Sequence, residues 1–383
     1  YMCAECHSTD LKKNYDLAED AYHTTFAEIN VSCETCHGPG SVHVELAESW
    51  GFFWDRRHGY GLPRLKDRNP RVEIETCAPC HARRRIIYPG SRPGGKLLDH
   101  YLPEVLDGNL YYADGQILEE DYVYGSFIQS KMYDRGVMCS DCHDPHSVER
   151  ILEGNALCTQ CHRESQYDNY EHHFHKQEGE EGDPIRSEDG DVLWAVGSGA
   201  QCETCHMPGR YYMGNDYRPD HSFRVPNPRL AAETGSPDAC LRCHVAEDSQ
   251  WSREKVAEWY GPGDTAHYGD ILFSGRQGEP AAAADLAALA ADLLYPVNVR
   301  ATAVSLLGNN YPYEASRQAL ELARVDEEPL IRRAAVLVLS NPEPRSLARQ
   351  LAQALQDPCL LYTSPSPRDG ETHLVCRLLL EKG

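Results

Sequence analysis

The short pattern Cys-x-x-Cys-His occurs seven times in the first 244 residues of this 383-residue chain. The paired cysteines are Cys3 and Cys6, Cys33 and Cys36, Cys77 and Cys80, Cys139 and Cys142, Cys158 and Cys161, Cys202 and Cys205, and Cys240 and Cys243. The histidines that close the motifs are His7, His37, His81, His143, His162, His206 and His244. Two thiols at this spacing can add to the vinyl groups of a porphyrin, and the adjacent imidazole then binds the iron. A zinc site or a redox dithiol would not need a histidine directly after every pair. The pattern therefore predicts seven covalently attached haem c groups, and we number the motifs one to seven in chain order.

Each motif supplies one axial ligand to an iron, so the second ligands have to come from histidines outside the motifs. Seven such histidines are predicted as iron ligands: His43, His100, His146, His172, His173, His175 and His221. Two neutral imidazoles on one iron give a low-spin, six-coordinate centre that is suited to electron transfer. We expect the two remaining histidines of this region, His23 and His58, to be solvated or structural.

The local sequence gives reasons for four of these ligands. His146 follows motif four after an Asp-Pro pair, and the proline directs the chain away from the preceding haem towards a neighbouring one. His43 follows motif two after two glycines, which let the backbone approach a porphyrin closely. His100 and His221 each follow an aspartate, a residue that can orient an imidazole.

The cluster His172, His173 and His175 contains more imidazoles than one iron needs. Adjacent side chains on a chain diverge, so we expect two of the three to bind two different haems. The third is then expected to lie at the surface or beside a ligand.

The elements that position these ligands are predicted to be short. About 35 residues per haem is too little chain to bury a large side-chain core, so the haems have to form much of the core themselves. The predicted fold is therefore mainly α with much irregular structure. It comprises a multihaem cytochrome c domain over residues 1–250, a linker with one short helix over 251–280 and a HEAT-like α-solenoid over 281–358.

Apolar residues at helical spacing support the solenoid prediction. The predicted helical segments are 281–294, 297–308, 313–324, 329–340 and 344–356. Two of them are similar in sequence, as in stacked helical repeats: PVNVRATAVSLLGN from Pro296 and PLIRRAAVLVLSN from Pro329. Residues 359–383 break the periodicity and resemble a translated sequencing adapter, so we exclude them from the fold, with a divergent last helix as the alternative.

The charge of the chain limits its partners. A formal net charge of −22 argues against nucleic acid and anionic membrane faces as ligands. The acidic stretch 176–191 is predicted to be a surface loop. Basic clusters such as Arg83–Arg85 are either solvated or paired with haem propionates, for which guanidinium groups are suited.

The cellular location is predicted from the cofactor. Covalent haem is attached outside the cytoplasm, so the protein is expected to be periplasmic or otherwise exported. The sequence shows no signal peptide and no apolar run of about 18 residues that could span a membrane. It begins at Tyr1, two residues before motif one, and we expect that an N-terminal part carrying the signal has been lost.

The motifs and the text between them resemble a known family over residues 1–245. The similar segments are MCAECHSTD, CETCHGPGSVH, CAPCHARR, LLDHYLPEVL, YADGQI, VYGSFIQSKMY, CSDCHDPHS, NALCTQCH, HHFH, CETCHMPGRYYM and DHSFRVPNP. They resemble bacterial multihaem c-type cytochromes related to the tetrahaem cytochrome of ammonia oxidisers, with a HEAT- or tetratricopeptide-like tail. The resemblance implies an eighth haem upstream in the full protein.

Two functions remain open at this point. The favoured one is electron transfer through closely packed bis-histidine haems between redox partner proteins, which would be other cytochromes or a quinol-linked membrane complex. The alternative is an octahaem-type oxidoreductase acting on nitrite, hydroxylamine or tetrathionate at one haem with an open sixth position. The supply of histidines favours a carrier over an enzyme, because every iron could be filled.

Overall fold

The computed structural model describes residues 2–49, 56–66, 69–262, 266–339 and 343–357. The chain divides into two compact units, one with residues up to Glu104 and the described residues from Ala348, the other with Val105–Leu347. The domain boundaries predicted at residues 250 and 280 stay predictions. Residues 359–383, for which an adapter origin is predicted, lie outside the described residues.

The first unit is built from short helices and three antiparallel strand pairs. The helices are α1 (Met2–Cys6), α2 (Cys33–His37), α3 (Ser41–Glu48) and α4 (Arg71–His81). The strands are β1 (Ser8–Thr9), β2 (Tyr15–Asp16), β3 (Ala21–Tyr22), β4 (Glu28–Ile29), β5 (Arg84–Ile86) and β6 (Tyr101–Pro103), paired β1 with β4, β2 with β3 and β5 with β6. Two 3₁₀ turns cover Arg56–Gly61 and Leu97–Asp99.

Residues 105–260 continue this pattern in the second unit. The helices are α5 (Tyr124–Phe127), α6 (Lys131–Asp134), α7 (Ala156–Thr159), α8 (Glu164–Tyr167), α9 (Tyr170–His173), α10 (Cys202–His206), α11 (Pro228–Thr234) and α12 (Ser249–Tyr260). Three antiparallel hairpins pair β7 (His143–Asp144) with β8 (Glu149–Arg150), β9 (Ile185–Arg186) with β10 (Val192–Trp194), and β11 (Arg210–Tyr212) with β12 (Asp216–Arg218). Two 3₁₀ turns cover Cys139–Asp141 and Ser198–Ala200.

Longer helices follow and bury a side-chain core. They are α13 (Tyr268–Gln277), α14 (Ala282–Ala291), α15 (Val297–Asn310), α16 (Tyr313–Ala323), α17 (Pro329–Leu337) and α18 (Pro344–Ala354). The fully buried side chains Leu272, Leu286, Val299, Leu307 and Ile331 come from four of these helices. Among the described residues between 131 and 227, by contrast, Ala200 and Tyr212 are the buried apolar ones. This contrast agrees with the expectation that haems replace side chains in the core of the motif region.

The prediction of a mainly α chain with little sheet is confirmed, and α14–α18 match the five predicted helical segments within a few residues. The HEAT-like solenoid stays a prediction. No helix within the described ranges is both long and apolar enough to cross a membrane.

Two local predictions differ from the structure. The Gly-rich part of the predicted linker contains α13, where Gly275 faces α14 so closely that a Cβ would lie 2.9 Å from Leu286 Cδ1. Glycine thus serves close helix packing there rather than a loop. The predicted acidic loop 176–191 ends in the β9–β10 hairpin, whose turn uses Gly190 at φ +90°.

A buried histidine caps α13 and makes this part of the fold sensitive to pH. The Gly269 N–H donates to His267 Nδ1 at 3.0 Å, and the His267 N–H donates to Asp270 at 3.2 Å. Burial, and then the nearby guanidinium groups of Arg224 and Arg229, lower the pKa of His267 to about 4, although Asp114 and Asp270 oppose this shift.

We expect stability to fall as pH drops from about 6.5 to about 4, because the unfolded chain then takes up a proton at His267 that the folded chain refuses. The loss attributable to this group is up to about 3 kcal/mol. His267→Asn retains an acceptor for the Gly269 N–H but does not titrate. Denaturant unfolding across this range should therefore show a flatter pH dependence for the variant, and an unchanged slope would contradict the assignment.

Candidate functional site

Six of the seven motifs show a helical turn or the hydrogen bond that closes one, whereas motif four forms a 3₁₀ turn followed by β7. In α1, α2, α4 and α10 the two cysteines lie three residues apart on a helical turn, so that both sulfurs face the same side. The N–H of the closing histidine reaches back to the first cysteine carbonyl at 3.0 Å in motifs one, five and seven, from His7, His162 and His244. A single covalent partner could therefore span both sulfurs and the imidazole of each motif.

Three motif histidines in the second unit each face a histidine from outside the motifs. The ring centroids of His143 and His221 lie 6.3 Å apart. Those of His206 and His172 are separated by 6.2 Å, and those of His244 and His175 by 6.1 Å.

This spacing fits one metal atom between each pair. A nitrogen ligand lies about 2 Å from a bound metal. The ring centroid lies about 1 Å further out, so two imidazoles on opposite sides of one iron have centroids about 6 Å apart. The donor set is also the one that low-spin haem iron takes.

Hydrogen bonds from Nδ1 fix the tautomer of several imidazoles. The Nδ1–H of His206 donates to the Arg224 carbonyl at 2.6 Å, and the Nδ1–H of His221 donates to the Pro219 carbonyl at 3.0 Å. His43, His100 and His175 make the same contact with the carbonyls of Tyr60, Tyr88 and His173. A proton held on Nδ1 leaves Nε2 unprotonated, which is the form that binds iron.

His173 differs from its two neighbours. Its Nδ1 accepts the N–H of His175 at 3.2 Å, so a neutral ring carries its proton on Nε2. The Nε2 atom is buried without a hydrogen-bond partner. This arrangement disfavours His173, one of the seven predicted ligands, and the binding of two different haems by the cluster stays a prediction.

The remaining candidates lie in other surroundings. The His146 side chain is 80% exposed and lies 3.6 Å from Asp144, and the His100 ring contacts those of Tyr88 and Tyr101. His23 is exposed and bonded to Glu19, as expected of a solvated residue. The side chain of His58 is not among those described.

Burial favours the neutral form of three of the paired histidines. It lowers the pKa of His143, with the Arg150 guanidinium as a second cause, and it lowers the pKa of His172 and His244. Neutral imidazole is the form that ligates a metal, so these environments suit iron.

Thiols of neighbouring motifs lie close together and perturb one another. In the first unit Cys6 Sγ lies 3.9 Å from the Cys80 carbonyl, and a hydrogen bond between the two thiols lowers the pKa of Cys6 to about 7 and raises that of Cys80. Charge on Cys77 adds to the burial that raises the pKa of Cys36. Motif three thus contacts motif one, and its Cys77 lies near enough to Cys36 of motif two for its charge to act on that thiol. These thiol pKa values describe the chain before thioether formation, since a thioether sulfur does not titrate.

Motifs four to seven form a series in the second unit. The Gln160 side chain of motif five donates to the Asp141 carbonyl of motif four at 3.1 Å. A hydrogen bond between Cys158 and Cys202 joins motif five to motif six. The Arg242 guanidinium of motif seven donates to the Thr204 carbonyl of motif six at 3.4 Å.

Aromatic side chains beside these ligands were not recognised from the sequence. Tyr167 contacts both His162 and His172, with ring centroids 5.9 and 5.3 Å apart. Trp251 and Trp259 of α12 contact His244 and His175. The signal that could have revealed the tryptophans is their eight-residue spacing, which places them on one face of a helix directly after motif seven.

Two families of haem-binding proteins match parts of the chain that contain the motifs. The family described as cytochrome c554 and c-prime matches residues 1–38, and the family described as doubled CXXCH motif matches residues 133–167. The outer cell wall cytochrome OcwA is structurally similar, with a TM-score of 0.46 and 19% identity over 88% of this chain and 74% of that one. A search of curated proteins found no match. The two family matches support a multihaem c-type cytochrome that binds haem c through its CXXCH motifs.

Proposed function

We propose that this protein carries electrons between redox partner proteins through a chain of seven haems, most of them bis-histidine. The observation that carries the proposal is the set of three histidine pairs in the second unit, each with ring centroids 6.1 to 6.3 Å apart. Haem c supplies one-electron redox chemistry when bound. An iron held by two imidazoles keeps its ligands in both oxidation states, and the fold then reorganises little.

The residues take three roles in this proposal. The fourteen motif cysteines hold the porphyrins, and the seven motif histidines supply one ligand each. His221, His172 and His175 supply the second ligands opposite His143, His206 and His244. His43 and His100, whose Nδ1–H groups donate to the carbonyls of Tyr60 and Tyr88, are proposed ligands in the first unit, and His146 is a proposed ligand of a neighbouring haem.

The contacts between motifs define the proposed electron path. In the second unit it runs through motifs four, five, six and seven in sequence order. In the first unit it runs from motif one through motif three to motif two. Partners are proposed to be other cytochromes or a quinol-linked membrane complex, met outside the cytoplasm, and the full protein is proposed to carry an eighth haem.

Alanine substitutions in the cluster 172–175 test the ligand assignment. His172→Ala and His175→Ala are each expected to convert one of the seven haems from low to high spin, because each iron loses one imidazole. His173→Ala is the matched control and should leave the spin state of every haem as it is in the unsubstituted protein. Electron paramagnetic resonance and the pyridine-haemochrome count measure spin state and haem number.

Three outcomes would count against the proposal. A haem count other than seven would contradict the cofactor assignment, and a high-spin signal from His173→Ala alone would contradict the ligand assignment. A high-spin haem in the unsubstituted protein that binds and turns over nitrite, hydroxylamine or tetrathionate would favour the oxidoreductase instead.

A further inference from the structure

One short turn carries both His172 and His175, which face different motif histidines. α9 ends at His173, and Phe174 follows with φ +54°. This left-handed conformation is uncommon for a bulky residue, so neighbouring contacts have to hold it. The turn lets His172 face His206 while His175 faces His244.

The end of α12 packs on this turn. The rings of Phe174 and Trp259 stack with centroids 4.8 Å apart and planes within 2° of parallel. Trp259 also contacts the His175 ring edge-on at 6.1 Å. Tyr260 contacts the Phe174 ring at 5.7 Å and donates its hydroxyl hydrogen to the His172 carbonyl. Every residue of the turn except His173 is thus contacted from α12.

The start of α12 is fixed to motif seven. Asp238 accepts the Cys240 N–H at 2.8 Å and the Ser252 hydroxyl hydrogen at 2.6 Å. Trp251 contacts the His244 ring at 4.7 Å. Trp251 and Trp259 lie about 12 Å apart along one face of the helix.

We propose that α12 sets the distance between motif seven and the turn 172–175, and that Trp259 is the positioning residue through which it directs His172 and His175 to two different irons. The inference rests on the proposed haem ligation. Trp259 touches no iron in this assignment. It acts by keeping Phe174 in the left-handed conformation and the His175 ring at the spacing found opposite His244.

Substitution of Trp259 in the full holoprotein tests the inference. Trp259→Leu keeps apolar bulk but loses the flat stacking surface, and it should convert as many as two of the low-spin haems of the unsubstituted protein to high spin. Trp259→Phe keeps a ring against Phe174 and should restore low-spin spectra. Added imidazole should also restore them in Trp259→Leu, since it replaces a displaced ligand. Trp194→Ala removes a tryptophan outside this contact and should leave the spectra unchanged.

A second variant separates positioning from a general loss of structure. Phe174→Ala removes the other ring of the stack. The double variant with Trp259→Leu should therefore contain no more high-spin haem than either single variant. Low-spin spectra in Trp259→Leu and Phe174→Ala, with seven haems attached, would overturn the inference and leave the proposed function intact. An unsubstituted protein with fewer haems or no low-spin signal would overturn the proposed function itself.

Discussion

Replacing both Cys158 and Cys161 with serine is expected to slow electron passage from motif four to motif seven by orders of magnitude. Motif five is in contact with motif four through the hydrogen bond from Gln160 to the Asp141 carbonyl, and with motif six through Cys202. Electron tunnelling rates fall steeply with distance, so loss of the haem between two others leaves a gap that the remaining haems bridge slowly.

The measurement needs a defined entry point and a defined exit. Val148, 85% exposed on the hairpin that follows motif four, can be changed to cysteine and labelled with a photoreductant. His175→Ala gives the motif-seven haem a high-spin spectrum by which its reduction can be followed. The comparison variant replaces Cys33 and Cys36 in the first unit, which removes one haem from outside this path. Equal rates in the two haem-deleted proteins would exclude the proposed order.

The cofactor and most of the helices after residue 280 could be predicted from the sequence, because both depend on local patterns. The Cys-x-x-Cys-His motif contains the cysteines and one ligand within five residues, and α14–α17 follow from apolar spacing and their leading prolines. His221 and His143 lie 78 positions apart in the sequence, so no local pattern encodes their pairing.

Other features were missed because one residue type serves more than one purpose. The stretch 251–280 was predicted to be a linker with one short helix, but Gly275 within it permits close packing of α13 on α14.

The position of motif three next to motif one and near motif two departs from sequence order, and the repeat alone does not reveal this.

The basic cluster Arg83–Arg85 shows why charge alone left its role open. Solvated charge and pairing with propionates were the two alternatives. The Arg84 side chain is 7% exposed and pairs with Glu5 at 2.8 Å, while the next residue, Arg85, is 61% exposed and pairs with Glu104 at 3.2 Å. Adjacent arginines on β5 point to opposite faces, because side chains alternate along a strand.

Arg84 connects motif one to motif three. Its Nε–H donates to the Pro79 carbonyl at 2.7 Å within motif three, and its guanidinium lies 4.3 Å from the centre of the Tyr101 ring. Burial opposes the charge on Arg84, but the hydrogen bond and charge of Glu5 outweigh it and raise the arginine pKa. The guanidinium is therefore held in place by one carboxylate on α1.

Glu5→Gln is expected to lower the free energy of unfolding of the first unit by about 3 kcal/mol or more, because it leaves a buried guanidinium without its counter-charge. Glu104→Gln is the matched control, since it removes the partner of the exposed Arg85 and should cost no more than about 1 kcal/mol. Denaturant titration of the two holoproteins, followed by the Soret band, compares the losses directly. Because Glu5 lies beside Cys6, the first variant should also loosen the contact between motifs one and three and slow electron exchange between their haems. Equal destabilisation by the two variants would mean that Arg84 does not depend on Glu5, and the link between these motifs would then rest on the packing of α1 against α4.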